Sequence, residues 1–173
     1  MVTSVRDEQG RDTVYRCFDG ADMPWLAPVG RLDKASEGLL FFSNDPEWAA
    51  RLTDPATGPL KTYRVQIDGV PDAAQLARMH EGVEDAGEHL AAHAVVVLRA
   101  SERTAWLEIV LDEGRNRHIR RLLQVLGFEV LRLVRVAIGP VALGGLAKGQ
   151  WRELEAEELE TLAAHSAVPQ ANS

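Results

Sequence analysis

The stretch Gly30-Arg31-Leu32-Asp33-Lys34-Ala35-Ser36-Glu37-Gly38-Leu39-Leu40 carries the residue types that can do chemistry. A carboxylate at Asp33 stands two positions after Arg31, and a second acid follows at Glu37. On extended backbone, residues two apart share a face, so the Arg31 guanidinium can hold the Asp33 carboxylate ionised and oriented. Burial in a partly dry pocket opposes that charge. One arginine at ~4 Å, with an effective dielectric near ~20, offsets the penalty by about 4 kcal/mol. An aspartate held in this way can serve as a nucleophile. Asp33 and Glu37 can also be read as the acid pair of a hydrolase. Taken alone, the stretch fits a turn equally well, the commonest use of aspartate between strands.

Two further groups lie downstream. Lys61-Thr62-Tyr63-Arg64-Val65-Gln66-Ile67 alternates like a strand, and Tyr63 in it is either a stacking platform or an ordinary strand aromatic. Glu113-Gly114-Arg115-Asn116-Arg117-His118-Ile119-Arg120-Arg121 gathers arginines at the start of a helix from about Asn116 to Leu126. Ile119, Leu122, Leu123 and Leu126 fall on its inner face, and Gly127 stops it. A basic helix start suits phosphates; a solvated amphipathic helix is the plainer use. His89 and His93 have a spacing that binds metal on a helix. Ala91 to Leu98 reads as strand, however, and no third ligand accompanies them, so no metal site is expected.

The elements that must position these groups follow from pattern. The run Leu26–Val29, a tight polar turn and the run Leu39–Phe42 read as strand, turn, strand, with Arg31 and Asp33 at the lip of a sheet. A short strand is expected at residues 2–5, a turn at Gln9-Gly10, and a short helix through Phe18 capped by Asp12 or Thr13. Asp45-Pro46-Glu47 and Pro71-Asp72 open helices. Residues 91–99 and 104–111 form a hairpin, 131–138 another strand, 150–154 a last short strand, and 155–164 an acidic helix. Strands that neighbour each other in sequence, with helices scattered between, predict an α+β fold around a single central mixed, largely antiparallel sheet.

At 173 residues and 46% apolar content, the chain can bury the core of one domain. Its one cysteine, Cys17, makes no intramolecular disulfide and no Cys-rich zinc site, which fits a reducing cytosol. The formal net charge of −7 argues against indiscriminate nucleic-acid binding. The charge is uneven, however. Residues 114–136 hold six arginines against one acid, Glu129, and residues 153–160 hold five glutamates with no base. A local basic face on an acidic protein suits a selective RNA enzyme.

Three motifs in order make the pattern specific. Gly30-Arg31-Leu32-Asp33 with Ser36-Glu37-Gly38-Leu39-Leu40, then Lys61-x-Tyr63, then Gly114-Arg115 with Ile119-Arg120, together resemble the pseudouridine synthases that modify ribosomal RNA, over residues 2 to 155. The resemblance implies that family's fold, one mixed sheet with flanking helices and an RNA cleft across it. It implies a redox-neutral isomerase with no cofactor and no metal, acting in the cytoplasm as a monomer on ribosomal RNA, specifically 23S. By the same resemblance Asp33 is the nucleophile, Tyr63 stacks on the flipped uracil with its hydroxyl near C5, and Arg115 lies against Asp33. Arg31, Lys34, Lys61, Arg117, Arg120 and Arg121 are expected to bind RNA. His118 stands where this branch often has glutamine and is expected to be a polar variant, not a base. A Lys-Pro-x-Gly strand usually precedes the region matching Val2, so an N-terminal edge strand is expected to be cut short. The small N-terminal RNA-binding domain of many relatives is expected to be absent too. The catalytic domain is expected to span 1–165, with a disordered tail at 166–173. The alternative is a catalytically silent ribosome-assembly factor of the same fold; intact Asp33, Tyr63 and Arg115 favour the enzyme.

Overall fold

The computed structural model describes residues 13–166. The expected strand at 2–5, the turn at Gln9-Gly10 and the tail beyond Ser166 lie outside those residues. A 3-10 turn, Val14–Phe18, leads to β1 (Ala27–Val29), β2 (Glu37–Gly38), β3 (Phe41–Ser43), α1 (Pro46–Thr53) and β4 (Lys61–Ile67). There follow α2 (Ala73–Glu81), β5 (Val83–Asp85), β6 (Glu88–Leu90), β7 (Ala94–Ala100) and β8 (Ala105–Leu111). Last come α3 (His118–Val125), β9 (Val130–Ile138), β10 (Val141–Ala142) and α4 (Ala156–Ser166). None of the helices among the described residues is long and apolar enough to cross a membrane.

The central sheet runs in the order β10-β9-β4-β8-β7, antiparallel throughout, with β2 added parallel to β9. This is the expected α+β fold with a mixed, largely antiparallel sheet. β8 shows why one face is covered. Ala105, Leu107, Ile109 and Leu111 are buried and alternate with half-buried Trp106, Glu108 and Val110, the period of a strand with one face on a core. Ile119, Leu122 and Leu123 of α3 and Met79 of α2 join that face in one cluster. A second cluster gathers Val29, Leu39, Phe41, Leu52, Ile138, Val141 and Leu162 around the β1–β3 pair.

The helix starts are set by local chemistry. The Asp45 carboxylate accepts from the amides of Glu47 (2.9 Å) and Trp48 (3.1 Å), with Pro46 opening the helix. Asp72 and Gln75 form a reciprocal capping box on α2, at 2.7 and 3.0 Å.

Four expectations change. The connection between β1 and β3 is not a tight turn: residues 30–40 reach across to lay β2 against β9. α3 begins at His118, not Asn116, because Arg117 adopts the left-handed conformation (φ 51°, ψ 34°) that no α-helix interior accepts. Residues 150–154 are irregular and join no sheet. The hairpin β5–β6 was not expected. Its turn takes positive φ at both Ala86 (51°) and Gly87 (79°), the handedness a two-residue hairpin needs.

Candidate active site

The Asp33 loop is held in place by backbone pairing. Glu37 pairs with Val134 and Gly38 with Arg135, in parallel. The Leu39 amide then donates to the Arg135 carbonyl at 2.9 Å, and the Ser36 amide closes a turn on the Asp33 carbonyl at 2.8 Å. Asp33 is thereby half-buried at the tip. Among the described residues, no hydrogen bond or ion pair closes on its carboxylate. Arg31 is exposed and makes no ion pair with Asp33 among the described residues. The tight hairpin that would have put the two side chains on one face is absent, because the loop continues to β9.

Arg120 is one cation the fold brings to this loop. It projects from α3 and donates from Nη2 to the Ala35 carbonyl at 2.8 Å, two residues beyond Asp33. Burial pulls its pKa down, as does the neighbouring Arg117 charge, while the Asp33 carboxylate acts through space to raise it. Its Nε is buried and lacks a partner.

Arg115, expected beside Asp33, lies elsewhere. Its Nε donates to Glu113 at 3.0 Å and its Nη1 to Glu88 at 3.3 Å, and those carboxylates raise its pKa, the Glu113 hydrogen bond most. Arg121, expected to meet phosphate, is similarly occupied. It contacts Asp85 at 2.5 Å and Glu88 at 2.6 Å and donates to the Asp85 carbonyl at 2.9 Å, locking the β5–β6 hairpin to α3. The physical reason is the unforeseen hairpin. It brings Asp85 and Glu88 under the arginine-rich motif, and two of the four arginines turn to them. Arg117, exposed at the left-handed residue ahead of α3, makes no such pair among the described residues.

Tyr63 sits on β4 directly between Ile109 of β8 and Arg135 of β9. It is half-buried against the main core, on the same sheet face as Val65 and Leu133. Lys61, two residues earlier, is half-buried and donates to the Pro59 carbonyl at 3.4 Å. Burial, and then the Arg135 charge, lower its pKa. Lys34 is exposed next to Asp33. Glu37 does not pair with Asp33 as an acid couple would. It accepts from Arg132 Nε at 2.6 Å and faces Lys148 at 3.9 Å, and the Arg132 hydrogen bond chiefly lowers its pKa. That removes the geometric ground for a two-carboxylate hydrolase. A cavity of about 1040 Å³ adjoins the loop, lined by Asp33, Lys34, Glu37, Arg132, Lys148 and Trp151 among others. Tyr63 and Arg120 do not line it.

His118 is buried, with its Nε2 2.8 Å from the Ala91 carbonyl. Its role here is to tie α3 to the chain ahead of β7. The site residue that pattern reading missed is Arg135, 4% exposed in the middle of β9. The signal was present: in Leu131-Arg132-Leu133-Val134-Arg135, an arginine occupies the inward parity that Leu133 defines.

The comparisons agree with this fold. A family model described as RNA pseudouridylate synthase matches residues 6–125. The chain is 41% identical to ribosomal large subunit pseudouridine synthase E of Vibrio parahaemolyticus, over 89% of this chain and 69% of the relative. It is 42% identical to the synthase of the same name from Xanthomonas campestris pv. campestris, over 75% of this chain and 77% of that one. A crystal structure of a pseudouridylate synthase superposes with a TM-score of 0.73 at 32% identity, covering 87% of this chain and 65% of the other.

Proposed function

Because the chain belongs to the RNA pseudouridylate synthase family, we propose that it isomerises one uridine of ribosomal RNA, in the 23S molecule, to pseudouridine, with Asp33 as the nucleophile. The name of the relatives, ribosomal large subunit pseudouridine synthase E, supports the choice of RNA. The observation that carries the chemistry is the Asp33 loop, fixed to β9 by backbone pairing and approached by Arg120 from α3. It supports Arg120, not Arg115, as the basic partner of the aspartate.

The reaction breaks the N1–C1′ bond, turns the uracil and joins C5 to C1′. The electron pair of the broken bond leaves with the base. The Asp33 carboxylate adds to the sugar or the base, or takes the C2′ proton in an elimination at C1′. As the new C5–C1′ bond forms, Asp33 departs from the carbon it had joined or, in the elimination, returns the C2′ proton, and the C5 proton is lost last while N1 regains one. Substrate and product have the same atoms, so no electron carrier is required. A paired uridine hides C1′ in the stack, so the nucleotide must turn out, at a cost of a few kcal/mol. Tyr63, half-buried at the end of the core face, is suited to stack on the base and recover roughly 1–3 kcal/mol. Lys34 and Arg117 are suited to phosphates on the rim, with Arg31 beside them. The enzyme works in the cytoplasm as a monomer.

Asp33→Asn tests this reading. The variant keeps the shape and removes the anionic oxygen. On unmodified 23S transcript, the wild-type protein should form pseudouridine at one position and Asp33→Asn should form none, with RNA affinity little changed. Turnover by Asp33→Asn within about tenfold of wild type, against the 10⁶-fold or more that enzymes typically contribute, would remove the nucleophile. RNA binding without any wild-type turnover would leave the silent assembly factor.

A further inference from the structure

Arg135 is a charged side chain in a place where the fold has no use for charge. It is 4% exposed on β9, on the core-facing side, opposite Tyr63. Buried charges are normally paired with an opposite charge, yet among the described residues no carboxylate pairs with this guanidinium. It is spent on backbone instead. Nε donates to the Leu39 carbonyl at 2.8 Å and Nη1 to the Arg31 carbonyl at 3.4 Å. Those two carbonyls stand on either side of Asp33, one before it and one after the loop has turned back. Nη2 is buried with no partner. The residue's own main chain completes the grip: its carbonyl accepts from Leu39, and its backbone opposes Gly38 in the parallel pair.

We propose that Arg135 is a positioning residue for Asp33, its guanidinium clipping the carbonyls of Arg31 and Leu39 so that the aspartate is presented in one place. Arg120 of α3 holds the same loop at Ala35, so two guanidiniums from two elements hold the loop that bears Asp33. A fork of several donors suits this role because it can reach two carbonyls from one rigid plane. Lysine's three donors leave one nitrogen at the end of a flexible stem and do not reproduce the planar fork that spans both carbonyls.

The inference rests on the pseudouridine synthase reading. It is tested with Arg135→Lys, which keeps the charge and the buried stem, and Arg135→Met, which keeps only the stem. Single-turnover pseudouridine formation and RNA affinity are measured on 23S transcript across pH. Amide exchange over residues 30–40 is followed on the free protein. Both variants should lose turnover, on the order of 10²-fold for a displacement near 1 Å, with RNA affinity within about twofold. The pH profile should fall evenly without moving, and faster exchange should be confined to residues 30–40. Arg135→Lys with wild-type turnover, or a variant altered in RNA affinity alone, would overturn the proposal. So would a pH limb that shifts in Arg135→Met and is restored in Arg135→Lys, since charge rather than placement would then be at work. If Arg135→Met is too unstable to purify, Arg135→Lys alone decides. If the wild-type protein forms no pseudouridine, the family-level function fails; the exchange measurement then still reports whether Arg135 holds the loop.

Discussion

Gly38 lies against the backbone of Arg135 so closely that a Cβ on it would meet the Arg135 carbonyl oxygen and amide nitrogen. Its φ of 117° is also in the region side chains avoid. Two independent reasons therefore demand glycine here, and both arise because β2 pairs with β9 and carries the Asp33 loop with it. Gly38→Ala should cost roughly 1–3 kcal/mol from backbone conformation alone, more once the strands separate. Turnover should fall further than the melting temperature implies, because the displaced segment is the one bearing Asp33. A Gly38→Ala protein that melts and turns over like wild type would show that β2 does not set the loop.

On the proposed reading Arg120, which reaches the Asp33 loop, and not Arg115, which pairs with Glu113 and Glu88, supports the aspartate. Arg120→Ala should lower single-turnover pseudouridine formation by roughly 10²-fold, the scale of a misplaced or unsupported catalytic group, with RNA affinity nearly kept. Arg115→Ala loses exposed pairs with Glu113 and Glu88, which are worth little in water. Its turnover at saturating RNA should stay near wild type. The opposite ordering of the two variants would return Arg115 to the site.

The salt dependence of RNA binding separates the remaining two arginines. Each phosphate contact adds on the order of one unit to the slope of log affinity against log salt. Arg117 is exposed and Arg121 is held by Asp85 and Glu88. Arg117→Ala should therefore reduce the slope by about one unit while leaving the melting temperature alone. Arg121→Ala should leave the slope and lower the melting temperature, because the β5–β6 hairpin loses its tie to α3. A lowered slope in Arg121→Ala would mean that RNA displaces the β5–β6 hairpin.

Much of this was legible in the sequence, for local reasons. Period-two alternation in β4 and β8, helical spacing in α3, and capping at Asp45 and Asp72 depend on neighbours in the chain, so pattern finds them. Asp33 and Tyr63 were singled out because each sits in a motif of its own. What failed depends on partners distant in sequence. The parallel graft of β2 onto β9 joins Gly38 to Arg135 across 97 positions. Nothing near Gly38 announces it except the glycine itself. The β5–β6 hairpin hid because Ala86, a residue that seldom takes positive φ, fills a turn position usually given to asparagine or glycine. Missing that hairpin hid the carboxylates that Arg115 and Arg121 meet, since Asp85 and Glu88 flank its turn.

His118 makes the fold sensitive to acid. It is buried, and burial is the largest influence on its pKa, lowering it from 6.5. The Ala91 carbonyl, Glu113 and Asp112 oppose the shift, while Arg115 adds to it. The ring is neutral in the folded state, with Nε2–H donating to Ala91 and Nδ1 left without a partner. Unfolded, the same ring takes a proton near pH 6.5. Below that pH the unfolded chain binds more protons than the folded one, so stability falls as pH falls. The contribution is whole above 6.5 and is lost as pH drops through the lower folded value. His118→Gln can donate to Ala91 from its amide and cannot titrate. Urea midpoints at pH 7.5 and 5.5 should separate for wild type and draw together for His118→Gln, whose stability at pH 7.5 should be equal or slightly lower. An equal acid-induced drop in both proteins would place the sensitivity elsewhere, with carboxylates such as Glu158, held at about 2 by Arg152, titrating only at lower pH.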